Sequence, residues 1–222
     1  MFCNDFLDAR SILKEVHERT TGFSYTSQIK INEEVRGVEK QILIGEIEVD
    51  LILSDTLDTS TTLELSFPSE MKGLKFLENR YQSGKIKRYM MLPEHEAVDI
   101  TNDLFYAKYS FSSNTIESII NSCINSILIQ NGEDETLTIQ SKCNNIELND
   151  SIKKREVKYS YRNKTINYIN EYNEENNIIR KISFLEYIHQ DLKLFPIKLK
   201  IEDFRKKSKI KIQLNQFKFI NR

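Results

Sequence analysis

Phe23-Ser24-Tyr25-Thr26-Ser27-Gln28-Ile29-Lys30-Ile31-Asn32 is the stretch that sets the architecture. Phe23, Tyr25, Ile29 and Ile31 alternate with Ser24, Thr26, Gln28, Lys30 and Asn32. A period of two is that of a half-buried strand with one face on a core. A turn at Glu33-Glu34 and Gly37 sends the chain back, and the return strand carries Leu43, Ile47, Val49 and Leu51 on one parity. A polar stretch from Ser54-Asp55 to Thr59-Ser60 precedes a third strand with Leu63, Leu65 and Phe67, which Pro68 stops. After Gly73 come Leu74, Phe76 and Arg80, a turn at Ser83-Gly84, and a segment from Ile86 to Leu92 closed by Pro93. Val98 and Ile100 suggest one further short strand. Strands linked by turns of this length are the hairpins of a meander.

Two segments change period. From Asp5 to Thr20, Phe6, Ala9, Leu13 and Val16 recur at helical spacing, with Arg10, Lys14, Glu15 and Glu18 on other faces and Gly22 as the stop. Between Ser113 and Gln130, Ile116, Ile119, Ile120, Cys123, Ile124 and Ile127 are spaced by threes and fours behind a candidate cap, Ser112-Ser113-Asn114. The other face of this second helix carries uncharged Asn121, Ser122, Asn125 and Ser126, which suits a helix lying over an apolar opening without ionic locks. Alternation resumes at Leu137-Thr138-Ile139, and after a polar stretch from Cys143 to Lys154 it returns in Glu156 to Tyr161, Thr165 to Tyr172, Ile178 to Ile188, and Phe195 to Ile201 running into Ile210 to Phe219. Turns are signalled by Arg162-Asn163-Lys164, Glu174-Glu175-Asn176-Asn177, Gln190-Asp191 and Arg205-Lys206-Lys207-Ser208. The expectation is one domain over residues 1–222, mainly β with α. It comprises a curved antiparallel sheet of about ten or eleven strands, with an N-terminal helix and a central helical lid, and no solenoid or propeller period.

The 32 basic residues against 33 acidic ones give a net charge of −1, which provides no overall field for nucleic acid. No run approaches the roughly 18 apolar residues of a membrane helix. Met1-Phe2-Cys3-Asn4-Asp5 is too short and polar for a signal peptide, and a leader is expected to have been removed ahead of it. Cys3, Cys123 and Cys143 share no metal-like spacing; Cys123 and Cys143 can pair or stay free, and Cys3 is either a plain thiol or a lipid-bearing terminus. His17, His95 and His189 are scattered, with no zinc pattern and no Ser-His-Asp set. Pro93-Glu94-His95-Glu96 offers acid and base side by side but falls in a turn, where charges are usually solvated. Gly84-Lys85 lacks the glycines and hydroxyl of a phosphate loop. Asn149-Asp150-Ser151 and Asn163-Lys164-Thr165 match only the weak glycosylation pattern. The basic run Arg205-Lys206-Lys207-Ser208-Lys209 fits a solvated hairpin tip or a contact with anionic lipid heads. No catalytic residue, metal or cofactor is expected.

Several phrases together resemble the outer-membrane lipoprotein-sorting family of LolA-like periplasmic carriers. They are Ile12-Leu13-Lys14-Glu15-Val16 with Gly22-Phe23-Ser24-Tyr25; Met71-Lys72-Gly73-Leu74-Lys75-Phe76-Leu77 with Tyr89-Met90-Met91-Leu92-Pro93; and Ile169-Asn170-Glu171-Tyr172, Ile182-Ser183-Phe184 and Phe195-Pro196-Ile197-Lys198-Leu199. The likeness spans nearly the whole chain, and no single motif in it is diagnostic. It implies an incomplete, unclosed β-barrel with a helical lid, exported to the periplasm. Such a barrel shields lipoprotein acyl chains between an inner-membrane exporter and an outer-membrane acceptor. The sequence departs from that pattern in lacking an Arg-Pro pair in its first strands and in lacking Trp.

Each methylene exposed to water costs about 0.8 kcal/mol, so a sixteen-carbon chain calls for roughly 12 kcal/mol of shelter. The candidate lining of a hollow that supplies it is Phe23, Tyr25, Ile29, Ile31, Leu43, Ile47, Val49, Leu63, Leu65, Phe76 and Met90, with Ile116, Ile119, Ile120 and Ile124 from the lid. The same stripes equally fit a plain core with a helix that plugs it permanently. The expected molecule is a monomeric, non-enzymatic carrier of lipoprotein acyl chains or lipid. Its rival is a lipid- or lipoprotein-sensing module of the same fold that signals through a protein partner.

Overall fold

The computed structural model describes residues 9–220 apart from 53, 55, 56, 84, 93, 94, 102–126, 132–134, 143–145, 148 and 149. In chain order these form α1 (Ala9–Thr20), β1 (Ser24–Val35), β2 (Val38–Leu51), β3 (Leu57–Phe67), β4 (Lys75–Tyr81), β5 (Ile86–Met91), β6 (Val98–Asp99), β7 (Ile127–Asn131), β8 (Thr136–Lys142), β9 (Ile146–Glu147), β10 (Asp150–Ser151), β11 (Lys154–Ser160), β12 (Thr165–Tyr172), β13 (Ile178–Gln190), β14 (Lys193–Asp203) and β15 (Ser208–Ile220). Among the described residues the main sheet runs β6-β5-β4-β3-β2-β1-β15-β14-β13-β12-β11-β8-β7 and does not close, with β6 and β7 as its end strands; β9 and β10 pair apart from it. Every recorded pairing is antiparallel, as the hairpin turns require.

The chain divides into two compact units, residues 1–21 with 111–209 and residues 22–110 with 210–222. In the first, α1 buries Ala9, Ile12, Leu13 and Val16 on one stripe, against β14 and β7. Its end is closed by side chains: Thr20 Oγ1 donates to Val16 O at 2.9 Å, Thr21 Oγ1 to His17 O at 2.7 Å, and Lys193 Nζ to Thr21 O at 2.9 Å and Glu18 O at 3.2 Å. These donors take up carbonyls that a helix end leaves unpaired, and Gly22 at φ 73° then turns the chain out. Register brings Ile139, Val157, Ile169 and Ile182 into one row across β8, β11, β12 and β13, all buried.

In the next row of that sheet Arg155, Glu171 and Arg180 stand side by side. Arg155 Nε donates to Glu171 Oε1 at 3.0 Å and Arg180 Nε to Glu171 Oε2. The Glu171 side chain is only 1% exposed, so its charge is held by these two guanidiniums. Further along β13, Tyr187 Oη donates to Ile166 O at 2.7 Å, and burial pushes the hydroxyl well above its ordinary range against the opposing effect of that bond.

The second unit consists of the meander β1 to β6 with most of β15. The turn between β1 and β2 is Arg36-Gly37, both at positive φ (54° and 81°), as a two-residue hairpin of this twist requires. Glu33 and Glu34 are therefore strand residues paired with Lys40 and Glu39, not the expected turn.

The expected helix over Ser113–Gln130 is corrected at its end, because Ile127–Asn131 is strand β7 paired to β8. Ile127-Leu128-Ile129 is apolar enough to fit either period, and pairing with a neighbouring strand decides it. Cys3, Cys123 and Cys143 lie outside the described residues, as do Asp5–Asp8 of the first expected helix.

Candidate functional site: an apolar face of the meander

The β1–β6 register assembles most of the expected lining residues on one face. Directly paired residues share a face, and the pairings chain into rows. Ser27, Ile47, Leu63, Phe76, Met90 and Val98 form one unbroken row over six strands. Ile29, Gly45 and Leu65 form the row on one side, with Ile31 and Leu43 beyond it. Tyr25, Val49, Thr61, Glu78 and Arg88 form the row on the other.

Burial is graded along the long row. Leu63 and Phe76 are buried, Ile47 and Met90 half-buried, and Val98 at the free edge is 49% exposed. Leu92, just past β5, is 45% exposed. The apolar surface thus reaches solvent at the open end of the sheet. Four interstrand gaps of about 4.8 Å make the stretch from Ile47 to Val98 about 19 Å long.

Gly45 makes this face possible at its centre. A Cβ built there would lie 2.5 Å from Glu64 O and 3.0 Å from a Leu63 methyl, so β2 and β3 approach at this point as only glycine allows. The register slips between Ile44 and Gly45, which places the irregularity at the glycine.

Tyr25, Ile29, Ile31, Leu43, Leu63, Leu65 and Phe76 are buried, and Phe23, Ile47, Val49 and Met90 are half-buried. Ile116, Ile119, Ile120 and Ile124 of the expected lid lie outside the described residues.

Two features of the face were not anticipated. Phe217 and Phe219 join it from β15: Tyr25 stacks on Phe217 at 4.8 Å between ring centres, and Phe23 meets Phe219 edge-on at 4.9 Å. Along β15 the buried positions are Ser208, Ile210, Ile212 and Leu214, and the even parity then breaks at Gln216, whose φ is +52°. An extra residue in the left-handed region is what a bulge inserts, and beyond it the half-buried positions shift to Phe217 and Phe219, with Gln216 and Lys218 exposed. The three-residue step from Leu214 to Phe217 is the signal for this in the sequence.

The second feature is charge. Glu78 is buried in the row beside the apolar one, where Arg88 Nε donates to its Oε2 at 2.8 Å and Arg80 Nη2 lies 3.5 Å from Oε1. Arg88 Nη1 also donates to Thr101 O at 3.2 Å, which ties β5 to the segment after β6. A carboxylate held between two guanidiniums on an apolar face needs no solvent, so charge and grease coexist there.

No cluster of His, Cys, Asp and Glu able to hold a metal occurs among the described residues. No helix among them is long and apolar enough to cross a membrane.

No family model matches the chain, and no curated protein matches it in sequence. Solved structures do match. An outer membrane lipoprotein-sorting protein domain from Vibrio parahaemolyticus superposes with a TM-score of 0.71 at 12% identity, over 95% of this chain and 91% of that one. A DUF1329 family protein from Desulfovibrio piger gives the same values. A LolA superfamily protein from Nitrosomonas europaea gives 0.61 at 10% identity, over 97% and 95%. The chain therefore shares the fold of these structures, an unclosed antiparallel sheet with a helix. The similarity is nearly end to end and lies in the backbone, with little of it in the residues.

Proposed function

We propose that this protein is a non-enzymatic carrier that shelters the acyl chains of a lipoprotein or lipid on the apolar face of its meander. It receives cargo from an inner-membrane exporter and passes it toward an outer-membrane acceptor through the periplasm, working as a monomer. The observation that carries the reading is the graded row from Ile47 to Val98. A plain core ends in polar residues at its margin, whereas this row continues apolar to the free edge of the sheet, where a chain can slide in. Phe23, Tyr25, Ile29, Ile31, Leu43, Ile47, Val49, Leu63, Leu65, Phe76 and Met90 line it, and Phe217 and Phe219 extend it. The fold shared with lipoprotein-sorting proteins supports the choice of cargo. Transfer needs no bond making; it needs an apolar surface that exchanges contacts at little net cost, and unbranched Met90 at the rim suits that exchange.

The test is native mass spectrometry of the protein extracted from its source cell. Bound lipid or acylated protein is expected in the wild type, with its occupancy reduced at least tenfold in Val98→Asp. Protein that leaves the cell free of any acyl species, under conditions where a known carrier retains its own, overturns the proposal.

A further inference from the structure

The turn between β14 and β15, residues 204–207, carries Phe204 at 50% exposure and Arg205, Lys206 and Lys207, all exposed. We infer that this hairpin tip is a contact for an anionic lipid surface, with Phe204 entering the headgroup layer and the cations beside it meeting lipid phosphates.

The tip is built and held in place. Phe204 N donates to Ile179 O at 3.0 Å, which sets the turn beside the start of β13, where Ile178 is a second exposed apolar side chain (39%). Asp203 Oδ1 accepts from the backbone N–H groups of Arg205 and Lys206, each at 3.0 Å, and Lys207 at φ +50° completes the reversal. Between Lys200 and Lys209 stand five cations and two carboxylates. Of the two, Glu202 is taken by Lys200 at 2.8 Å, while Asp203 lies 3.9 Å from Arg205 and 4.0 Å from Lys206, distances at which exposed pairs hold little. The acidic turn across the hairpin offers Glu174 and Glu175, and Glu174 is engaged by Lys153 at 3.1 Å. The excess charge at the tip is thus positive.

A folded protein partner fits the tip less well. A specific protein interface takes about 800 Å² from each side, far more than one four-residue turn presents. An aromatic ring flanked by lysines has the composition of an interfacial anchor, apolar at its centre and basic at its margin.

The experiment sediments the full chain with vesicles of phosphatidylcholine alone and of phosphatidylcholine with an equal amount of phosphatidylglycerol, at low and at high salt. Binding is expected to the anionic vesicles only, weakening with salt. Each cation near such a surface contributes about fivefold in partitioning, so Lys206→Gln with Lys207→Gln should cost about 25-fold. Phe204→Ser should weaken binding severalfold and leave the salt dependence unchanged. Lys72→Gln with Lys85→Gln removes the same charge from two other exposed positions and should leave binding as it was. Failure to bind anionic vesicles, as a tip meant for an acidic protein would show, overturns the inference. So does an equal loss in the two double variants, which would mean bulk charge is responsible. Acyl occupancy by mass spectrometry is a separate readout: the tip variants should retain it, so the two proposals can fail independently.

Discussion

The length of the apolar row sets how long an acyl chain the protein can reward. From Ile47 to Val98 the row spans about 19 Å. An extended chain advances about 1.3 Å per methylene, given a carbon–carbon bond of about 1.5 Å, so the row matches a chain of on the order of fifteen carbons in length, which Leu63 and Phe76, buried in this structure, must be uncovered to touch. Each sheltered methylene is worth about 0.8 kcal/mol, or about fourfold in affinity. Affinity for a series of lysophospholipids should therefore climb about fourfold per added methylene and level off near that length. Met90→Asp places a charge on the row between Phe76 and Val98. It leaves an unbroken apolar stretch only from β2 to β4, about 10 Å, and the plateau should come about seven carbons sooner. Met90 is half-buried next to the edge strand, so the substitution should cost the fold only about 1 kcal/mol. Displacement of a fluorescent fatty acid, with each lipid kept below its micelle concentration, measures both curves. An affinity indifferent to chain length, or a plateau that stays put in Met90→Asp, would refute the reasoning.

Three further outcomes follow from other parts of the structure. Glu171→Ala removes the carboxylate that Arg155 and Arg180 share in a nearly closed site and should destabilise the fold by about 3–5 kcal/mol in urea unfolding; a change under about 1 kcal/mol would mean that water already reaches it. Gly45→Ala drives a methyl into the Glu64 carbonyl and should lower stability by about 1–3 kcal/mol, whereas an unchanged midpoint would show that β2 and β3 can part freely. The Glu39 carboxyl is drawn below its ordinary 4.5 first by the hydrogen bond from Lys211 and then by that from Asn32. Its folded value being lowered, the stabilisation it gives is present above 4.5 and fades as pH falls through the lowered value. Lys211→Met should return its NMR titration midpoint toward 4.5, and an unmoved midpoint would rule Lys211 out as the cause.

The sheet was legible because alternation is a local property. Phe23 to Ile31 shows its inward parity without reference to any other strand, and the same holds for Leu43 to Val49. The stop at Pro68 and the turn at Arg162-Asn163-Lys164 also rest on local chemistry, and the strands end within a residue of where they were expected to; at Gln190-Asp191, β13 runs on through Gln190 before it turns. What lay out of reach depends on register. That Ile47, Leu63, Phe76, Met90 and Val98 stand in one line follows from turn lengths and from the slip at Gly45, and neither is written in any single strand. The Glu78 and Glu171 sites share that origin, since each unites charges from neighbouring strands that read separately as solvent-facing. Phe217 and Phe219 were within reach, because a step of three inside a strand announces a bulge. Ile127 was misassigned because a short isoleucine-rich run fits a helix stripe and a buried strand equally well.

The central claim is that the face between Ile47 and Val98 holds an acyl chain. A fatty acid bearing a diazirine at its tail, bound and photolysed, marks the residues it touches, and peptide mapping reads them out. The account predicts adducts on the peptides containing Leu63, Phe76 and Met90, saturable and displaced by unlabelled lipid. Adducts confined to the opposite face of these strands, or labelling that never saturates, would contradict it.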